Sequence, residues 1–321
     1  MLKFCCIKFS KIVLTTSKNY SIIEVSGVMK GVIIINAFRI PNESVYQAER
    51  LKVEFEKLNV NVDIIDDGYL RAMVIDGSLS TEFSNYDFVV YLDKDKYLSS
   101  ILEKSGLRLF NSHSSIRVCD DKGETYIALA NSGISMPKTI FGALCYSKDC
   151  KINQATVCQI IDKIGLPLVV KECYGSMGKG IYLVNNRDEL LDVMEKVKLK
   201  PHLFQEYLPY KKGVDVRVIV IGGKAVASME RRNEDDFRSN VAQGGDGVKV
   251  ELSKEFKKTA EKVAKTLKLD YCGVDLLYGK DEKPFVCEVN SNAFIGGIEK
   301  VTGINVAKLY AEYIIKQIKN V

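Results

Sequence analysis

A short apolar run near the C-terminus, Pro284–Asn290, constrains the chain most because it carries two polar side chains at alternate positions. Glu288 and Asn290 lie two residues apart, and since the side chains of a strand alternate between its faces, both point to the same side. Oxygen atoms buried in this way are costly unless something binds them. The run therefore predicts a strand that either contributes to a ligand site or holds a buried pair satisfied by backbone donors.

A second acidic strand is predicted upstream, over residues 271–278, where Asp275 is the only charged residue. Oxygen ligands on two adjacent strands suit a hard cation such as Mg²⁺, which proteins usually hold through about one or two carboxylates together with nucleotide phosphates. Asp275, Glu288 and Asn290 are therefore the candidate metal ligands.

Composition bounds the remaining choices. The chain has 321 residues, 46% of them hydrophobic, enough for a sizeable core and more than one domain. A net charge of +5 without a basic block does not indicate a nucleic-acid partner, and no stretch is long enough for a transmembrane helix. Nine cysteines without a CxxC pair, and two histidines without ligand spacing, argue against zinc. Scattered thiols in odd number instead predict a cytoplasmic protein.

The N-terminal part divides into an extension and a domain. Residues 1–28 begin like a signal peptide, but Lys8 and Lys11 interrupt the apolar run and no cleavage site follows. We expect a disordered extension, or a start assigned too far upstream of Met29. Residues 29–112 then alternate strands with helices, which predicts a doubly wound α/β domain. Its first strand is not followed by the glycine fingerprint of a dinucleotide site.

A helix predicted over residues 114–132 leads to a glycine-rich hairpin. Residues 173–179 connect two apolar strands, and the Gly178-Lys179 pair is followed by Gly180 and a strand, so the segment is not a Walker loop. Glycines allow backbone N–H groups to approach phosphate oxygens, and Lys171 on the leading strand could reach the same anion. An ordinary flexible turn is the alternative.

Two further segments carry polar groups suited to a nucleotide. The strand predicted over residues 203–209 could bind an adenine through its backbone and Asp215 a ribose hydroxyl, although a plain interdomain strand would look the same. Residues 228–245 are predicted to form a loop rich in arginine, whose guanidinium forks bind carboxylates and phosphates. A solvated charged loop is the alternative. The residues concerned are Arg231, Arg232, Arg238 and Asn240.

In this order the motifs resemble those of ATP-grasp ligases of the RimK type. The similarity spans about residues 113–321, is most specific around residues 237–240 and 288–290, and is weak over residues 29–112. It rests on Lys138, Lys171 with residues 175–180, Gln205 to Leu208, Asp215 to Arg217, Glu230 to Arg232, Asp236 to Asn240, Gly273 to Asp275, and Glu288 to Asn290.

The resemblance implies an α/β ATP-grasp fold of three domains: an N-terminal doubly wound domain over residues 29–112, a central lobe over 113–204 and a C-terminal lobe with the metal site over 205–321. It implies two Mg²⁺ or Mn²⁺ ions at Asp275, Glu288 and Asn290. Arg217, Arg232 and Arg238 are the catalytic candidates. The implied ATP contacts are Lys138, Lys171, Ser176, Gly178, Gln205, Glu206, Tyr207, Leu208, Asp215, Arg238, Ser239 and Asn240.

The implied activity is that of an ATP-dependent carboxylate-amine ligase, which forms an amide through an acyl phosphate and releases ADP and phosphate. After Asn290 the chain reads Ser-Asn-Ala-Phe-Ile-Gly-Gly instead of the Ala-Ser-Pro-Gly of ligases that add glutamate to a ribosomal protein. Glutamate is the first candidate for the amino acid, and a protein, a peptide or a small molecule stays open as the carboxylate acceptor. An inactive nucleotide-binding regulatory or scaffold protein is the alternative function, and a homo-oligomer is also left open.

Overall fold

The computed structural model describes residues 29–38, 43–68, 72–239 and 246–320. The predicted extension, residues 1–28, and the predicted ATP contact Asn240 lie outside these ranges. Within the described ranges, no helix combines the length and apolar character needed to cross a membrane.

The N-terminal domain contains a parallel sheet of strand order β2-β1-β5-β6, as the alternating pattern predicted. Its central strands are runs of valine, isoleucine and phenylalanine that are buried on both faces. A separate antiparallel hairpin, β3-β4, lies between β2 and β5. The elements are β1 (Lys30–Ile35), α1 (Glu43–Lys57), β2 (Asn61–Asp66), β3 (Ala72–Ile75), β4 (Ser78–Thr81), β5 (Phe88–Leu92), α2 (Lys96–Lys104) and β6 (Arg108–Phe110).

The central lobe is an antiparallel sheet of order β7-β10-β8-β9 covered by two helices. Strands β8 and β9 pair directly, which confirms the predicted hairpin. The elements of this part of the chain are α3 (His113–Asp120), α4 (Lys122–Leu129), β7 (Thr139–Phe141), α5 (Gln154–Ile164), β8 (Leu168–Glu172), β9 (Ile181–Val184), α6 (Arg187–Val197) and β10 (His202–Glu206).

The single helix predicted over residues 114–132 is wrong, because the chain breaks at Asp121 into α3 and α4. Asp121 has an extended backbone (φ −101°, ψ 113°), and its carboxylate accepts hydrogen bonds from the backbone N–H groups of Gly123 and Glu124. Satisfying these free donors is what an N-cap residue does, and a Glu at the third helical position strengthens the signal. The second helix therefore begins at Lys122.

The C-terminal lobe is an antiparallel sheet of order β13-β12-β11-β14-β15 with α7 packed on one face. Asp275 lies opposite both Arg217 and Glu288, and Gly273 lies opposite Asn290. A β-bulge interrupts the β14-β15 pairing after Asp275, so that Cys287 has no partner in the register. The elements are β11 (Val214–Ile221), β12 (Lys224–Arg232), β13 (Asp246–Lys249), α7 (Lys254–Thr266), β14 (Tyr271–Tyr278), β15 (Pro284–Asn290), α8 (Gly296–Thr302) and α9 (Val306–Lys319).

Helices of one domain pack against the core of another domain and hold the domains together. The C-terminal helices α8 and α9 share a core with α1 of the N-terminal domain, where Arg50 binds Glu299 at 3.3 Å. Helices α3 and α4, which the sequence placed in the central lobe, pack on the C-terminal sheet, and Tyr126 of α4 also contacts Cys173 and Leu203 of the central lobe. Tyr126 of α4 donates its hydroxyl proton to the carbonyl of Cys287 at 2.9 Å. These contacts place the start of α4 beside the strand that carries Glu288.

Candidate active site

A cleft lies between the two antiparallel sheets, with β8, β9 and β10 on one side and β11, β14 and β15 on the other. Its apolar walls include Val169, Ile181 and Leu277, and polar side chains lie along its floor. An apolar slot with a few oriented polar groups is typical of a site for a small molecule or a nucleotide. Ten of the predicted site residues line this cleft: Lys171, Gln205, Glu206, Tyr207, Leu208, Asp215, Arg238, Ser239, Asp275 and Glu288.

The other predicted residues lie outside the cleft lining. Lys138 is exposed and donates to the carbonyl of Lys163 at 3.1 Å. Ser176 and Gly178 lie in the hairpin tip, which approaches the site through a 2.8 Å hydrogen bond from Arg238 to the carbonyl of Gly178. Arg217, Arg232 and Asn290 lie in strands of the C-terminal sheet.

Lys171 of β8 is a buried lysine that points at the C-terminal sheet. It is 5% exposed, and its Nζ lies 3.6 Å from Sγ of Cys287. Burial alone would lower the pKa of Lys171, but Cys287, Tyr126 and Glu288 together raise it above the ordinary value. The side chain therefore stays charged and presents a desolvated ammonium group to the cleft.

Two carboxylates of the site are already paired with arginine. Arg217 binds Asp275 through two hydrogen bonds of 2.8 and 2.7 Å, and Arg231 lies 2.9 Å from the same carboxylate. Arg231 also forms a bidentate pair with Asp215. Burial alone would raise the pKa of Asp275, but the two arginines hold it below its ordinary value. Asp275 is therefore ionised, and both aspartates are held in place by the arginines.

The loop predicted for residues 228–245 is wrong at its start, because β12 continues through Arg232. Neighbouring residues of a strand face opposite sides, so Arg231 is 3% exposed while the Arg232 side chain is 59% exposed. Arg232 donates to Glu230 at 2.6 Å, and the hydroxyl of Tyr278 binds the other oxygen of that carboxylate. Arg231, which the sequence placed in the arginine-rich loop but not among the catalytic candidates, is thus the residue of this pair that lines the cleft.

The predicted metal ligands fit a hard divalent cation. The register of β14 and β15 places Asp275 beside Glu288, with Asn290 on the same side of β15. The Nδ2 atom of Asn290 is buried and has no hydrogen-bond partner among the described residues, so this amide group can donate to an acceptor oxygen of a bound ligand. Two carboxylates and an amide oxygen form a donor set typical of Mg²⁺.

Lys122 is a site residue that sequence reasoning missed altogether. Its Nζ lies 3.2 Å from Oε1 of Glu288, and the residue is 6% exposed. The signal was present in Asp121-Lys-Gly-Glu124, an N-cap residue followed three positions later by glutamate. The prediction of one continuous helix missed this signal, because it placed Lys122 in the middle of a helix and not at the start of one.

Known proteins share this chain's sequence and architecture. Residues 119–314 match the model of the RimK-like ATP-grasp domain family. The chain belongs to this family. The probable alpha-L-glutamate ligase of Vibrio atlanticus is 33% identical over 293 residues, which cover 87% of this chain and 94% of the relative. Human beta-citrylglutamate synthase B is 31% identical over 287 residues, covering 85% of this chain and 73% of the relative.

Solved ATP-grasp structures extend the likeness to the whole fold. The D-alanine–D-alanine ligase of Bacillus anthracis, complexed with ATP, superposes with a TM-score of 0.68 at 21% identity and covers 91% of this chain and 98% of its own. The RimK domain ATP-grasp protein of Sphaerobacter thermophilus has a TM-score of 0.65 at 16% identity, covering 89% and 99%. The family, the ATP-grasp fold and the class of ATP-dependent ligase predicted from the sequence are therefore confirmed.

Proposed function

We propose that this ligase joins the amino group of L-glutamate to a carboxylate acceptor and releases ADP and phosphate. Support for glutamate comes from the names of relatives in two groups, the probable alpha-L-glutamate ligases and the synthases of beta-citrylglutamate and N-acetylaspartylglutamate. The acceptor class is a di- or tricarboxylate, or a peptide that ends in a carboxylate. The proposal includes a cytoplasmic location, which the free cysteines of the described residues favour.

The charge pattern of the cleft carries the proposal. Two buried lysines, Lys122 and Lys171, approach Glu288, and Arg238 reaches the hairpin from the opposite side. Desolvated cations fixed in this way stabilise the charge that develops when a phosphoryl group is transferred. We place the adenine of ATP between the apolar walls, near Tyr207 and Leu208, and its phosphates toward these cations.

We assign Asp275, Glu288 and Asn290 to hold two Mg²⁺ or Mn²⁺ ions, which when bound would neutralise part of the phosphate charge. The arginine pairs fix the orientation of Asp275 before any ligand arrives. Because Arg217 is held by Asp275, it presents a guanidinium group whose position is already set. We propose that Arg217, and not Arg232 on the opposite face of the sheet, binds the acceptor carboxylate or the oxyanion that forms from it.

The reaction needs ATP because a carboxylate has no acceptable leaving group. In the proposed first step an acceptor oxygen attacks the γ-phosphorus of ATP, and the bond between that phosphorus and ADP breaks. The amine nitrogen then attacks the acyl carbon, the C–N bond forms, and the C–O bond to phosphate breaks as the nitrogen loses a proton. Lys171 and Arg238 offset the negative charge of both transition states.

Mass spectrometry of the products tests this proposal. The protein is incubated with ATP, Mg²⁺, L-glutamate and either citrate or N-acetylaspartate whose carboxylates carry heavy oxygen. We expect ADP release that requires both substrates, and one labelled oxygen per turnover in inorganic phosphate. Label in AMP would indicate adenylation, and unlabelled phosphate would indicate uncoupled hydrolysis. Nucleotide binding without turnover on any acceptor would support the regulatory or scaffold alternative instead.

A further inference from the structure

Lys122 joins the glycine-rich hairpin to the proposed metal site through a single ammonium group. Its Nζ donates to the carbonyl of Gly175 at 2.9 Å and lies 3.2 Å from Oε1 of Glu288. The side chain is 7% exposed, so both contacts are shielded from solvent. The hairpin and Glu288 are far apart in sequence, and they therefore share the one positive charge of Lys122.

The backbone of Lys122 is fixed on both sides. Its N–H donates to the carbonyl of Cys173 at 3.0 Å, at the base of the hairpin. One turn later, the hydroxyl of Tyr126 binds the carbonyls of Val286 and Cys287 on β15. Helix α4 thus cannot follow a displaced side chain, and any change in the contacts of Nζ must come from rotation of the lysine side chain itself.

A divalent cation at Glu288 would compete with this ammonium group for the same carboxylate. A cation and an ammonium group within a few ångströms of each other in a desolvated site repel strongly. Lys171 adds a second positive charge close to Glu288. Binding of the cation therefore requires Nζ to move away from Glu288. Because the helix backbone is fixed, this movement is a rotation of the side chain, which also breaks the hydrogen bond from Nζ to the carbonyl of Gly175.

We propose that Lys122 is a positioning residue that couples cation binding at Glu288 to release of the hairpin segment around Gly175. The inference rests on the metal site of the proposed function but not on the ligase reaction. It predicts a local effect, because Arg238 holds the carbonyl of Gly178 independently of Lys122. The start of the hairpin should loosen when metal binds, while its far end stays anchored.

Metal-ion titration and hydrogen exchange without any nucleotide test the coupling. The probe is Mn²⁺ alone, with affinity measured by electron paramagnetic resonance. In the wild type, we expect Mn²⁺ to raise exchange over residues 173–177 by at least about threefold. In Lys122→Met the same residues should exchange rapidly before metal is added and show no further response. Its Mn²⁺ affinity should rise by about tenfold, because the competing charge is gone.

Two variants control for effects unrelated to the shared charge. Lys200→Met removes an exposed ion pair with Glu172, 2.8 Å long, at the base of the same hairpin. It should keep the wild-type Mn²⁺ affinity and the wild-type exchange response. Lys122→Arg keeps the charge and should bind Mn²⁺ within about twofold of the wild type, which also covers the case that the methionine variant does not fold.

The outcomes separate this inference from the metal site and from the ligase. Equal Mn²⁺ affinity in the wild type and Lys122→Met, or hairpin exchange that ignores Mn²⁺, would overturn the coupling alone. Failure of every variant to bind Mn²⁺ would overturn the coupling together with the metal site. Neither measurement uses a substrate, so a ligase assay that finds no acceptor leaves both results interpretable.

Discussion

The two walls of the cleft are built in opposite ways. The C-terminal sheet orders its charges in advance, because Asp215, Arg231, Asp275 and Arg217 form one buried chain of ion pairs. The hairpin of the central lobe is held at its tip by two contacts from cationic side chains to carbonyl groups, at Gly175 and Gly178. From this difference we expect the C-terminal sheet to keep its charged groups in a fixed geometry while the hairpin opens and closes over them.

The largest expected effect comes from removing one arginine from the ion-pair chain of the C-terminal sheet. Arg231→Met would leave Asp215 without its bidentate partner and should lower the free energy of unfolding by about 3 to 5 kcal/mol, because a buried charge loses its compensation. Arg232→Met is the matched control one residue later, where the exposed side chain should cost about 1 kcal/mol or less. Urea denaturation followed by circular dichroism measures both. Similar losses in the two variants would contradict the buried ion-pair chain as the basis of this wall.

The next effect concerns Glu288, the proposed metal ligand that lies beside Lys122. Glu288→Gln keeps the shape of the side chain but removes its charge, so affinity for a non-hydrolysable ATP analogue in the presence of Mg²⁺ should fall by about a hundredfold. Without Mg²⁺ the wild type and the variant should bind equally weakly. Calorimetry gives both constants. Metal-independent binding of the same strength by both proteins would remove the assignment of Glu288.

A third effect tests whether the hairpin acts as a lid. With Mg²⁺ and the ATP analogue together, hydrogen exchange over residues 174–180 should slow by about tenfold, because the ligand supplies partners for backbone groups of the loop. Residues 271–276 of the C-terminal sheet serve as the internal reference and should change little. A hairpin that is already protected in the free protein and insensitive to ligand would be a structural turn.

The smallest effect contrasts the carboxylates paired with arginine with one outside the cleft that faces another carboxylate. Burial, then a hydrogen bond with Asp93, raises the pKa of Asp67 in the N-terminal domain from 3.8 to about 7. A raised pKa means that the folded state favours the protonated form, so this stability is present below about pH 4 and is lost as the pH rises through 7. Thermal melts of the wild type and Asp67→Asn should converge at low pH, with the variant relatively more stable near neutrality. Melting temperatures of the two proteins that change in parallel with pH would contradict the raised pKa of Asp67.

The sequence predicted those features that one strand or one motif determines by itself. The acidic strands around Asp275 and Glu288 and the hairpin after Lys171 follow from alternation and from glycine content, and the fold class follows from the order of motifs. Features that depend on a local change of backbone direction were missed. The break at Asp121 is decided by one capping carboxylate, and the opposite exposure of Arg231 and Arg232 depends on the strand extending farther than composition suggested.

The pairing between arginine and aspartate also could not be predicted from the sequence. Arg217 is 58 residues from Asp275, and several carboxylates in this half of the chain are equally available by composition. Only the register of β11 against β14 selects this pair. The same reasoning applies to Lys122 and Glu288, which meet because α4 packs against β15.

The bulge at Cys287 makes the length of β15 as important as its chemistry. Val286 and Val289 both point into the core beneath the sheet, although strict alternation would place residues three apart on opposite faces. The extra residue shifts the phase of the strand, so that Glu288 faces the cleft while the valines on either side stay in the core. Deleting one residue here would leave every residue type in place, yet it would force a choice between burying the carboxylate and exposing a valine. In this segment, the number of residues therefore decides which side chains face the cleft and which face the core.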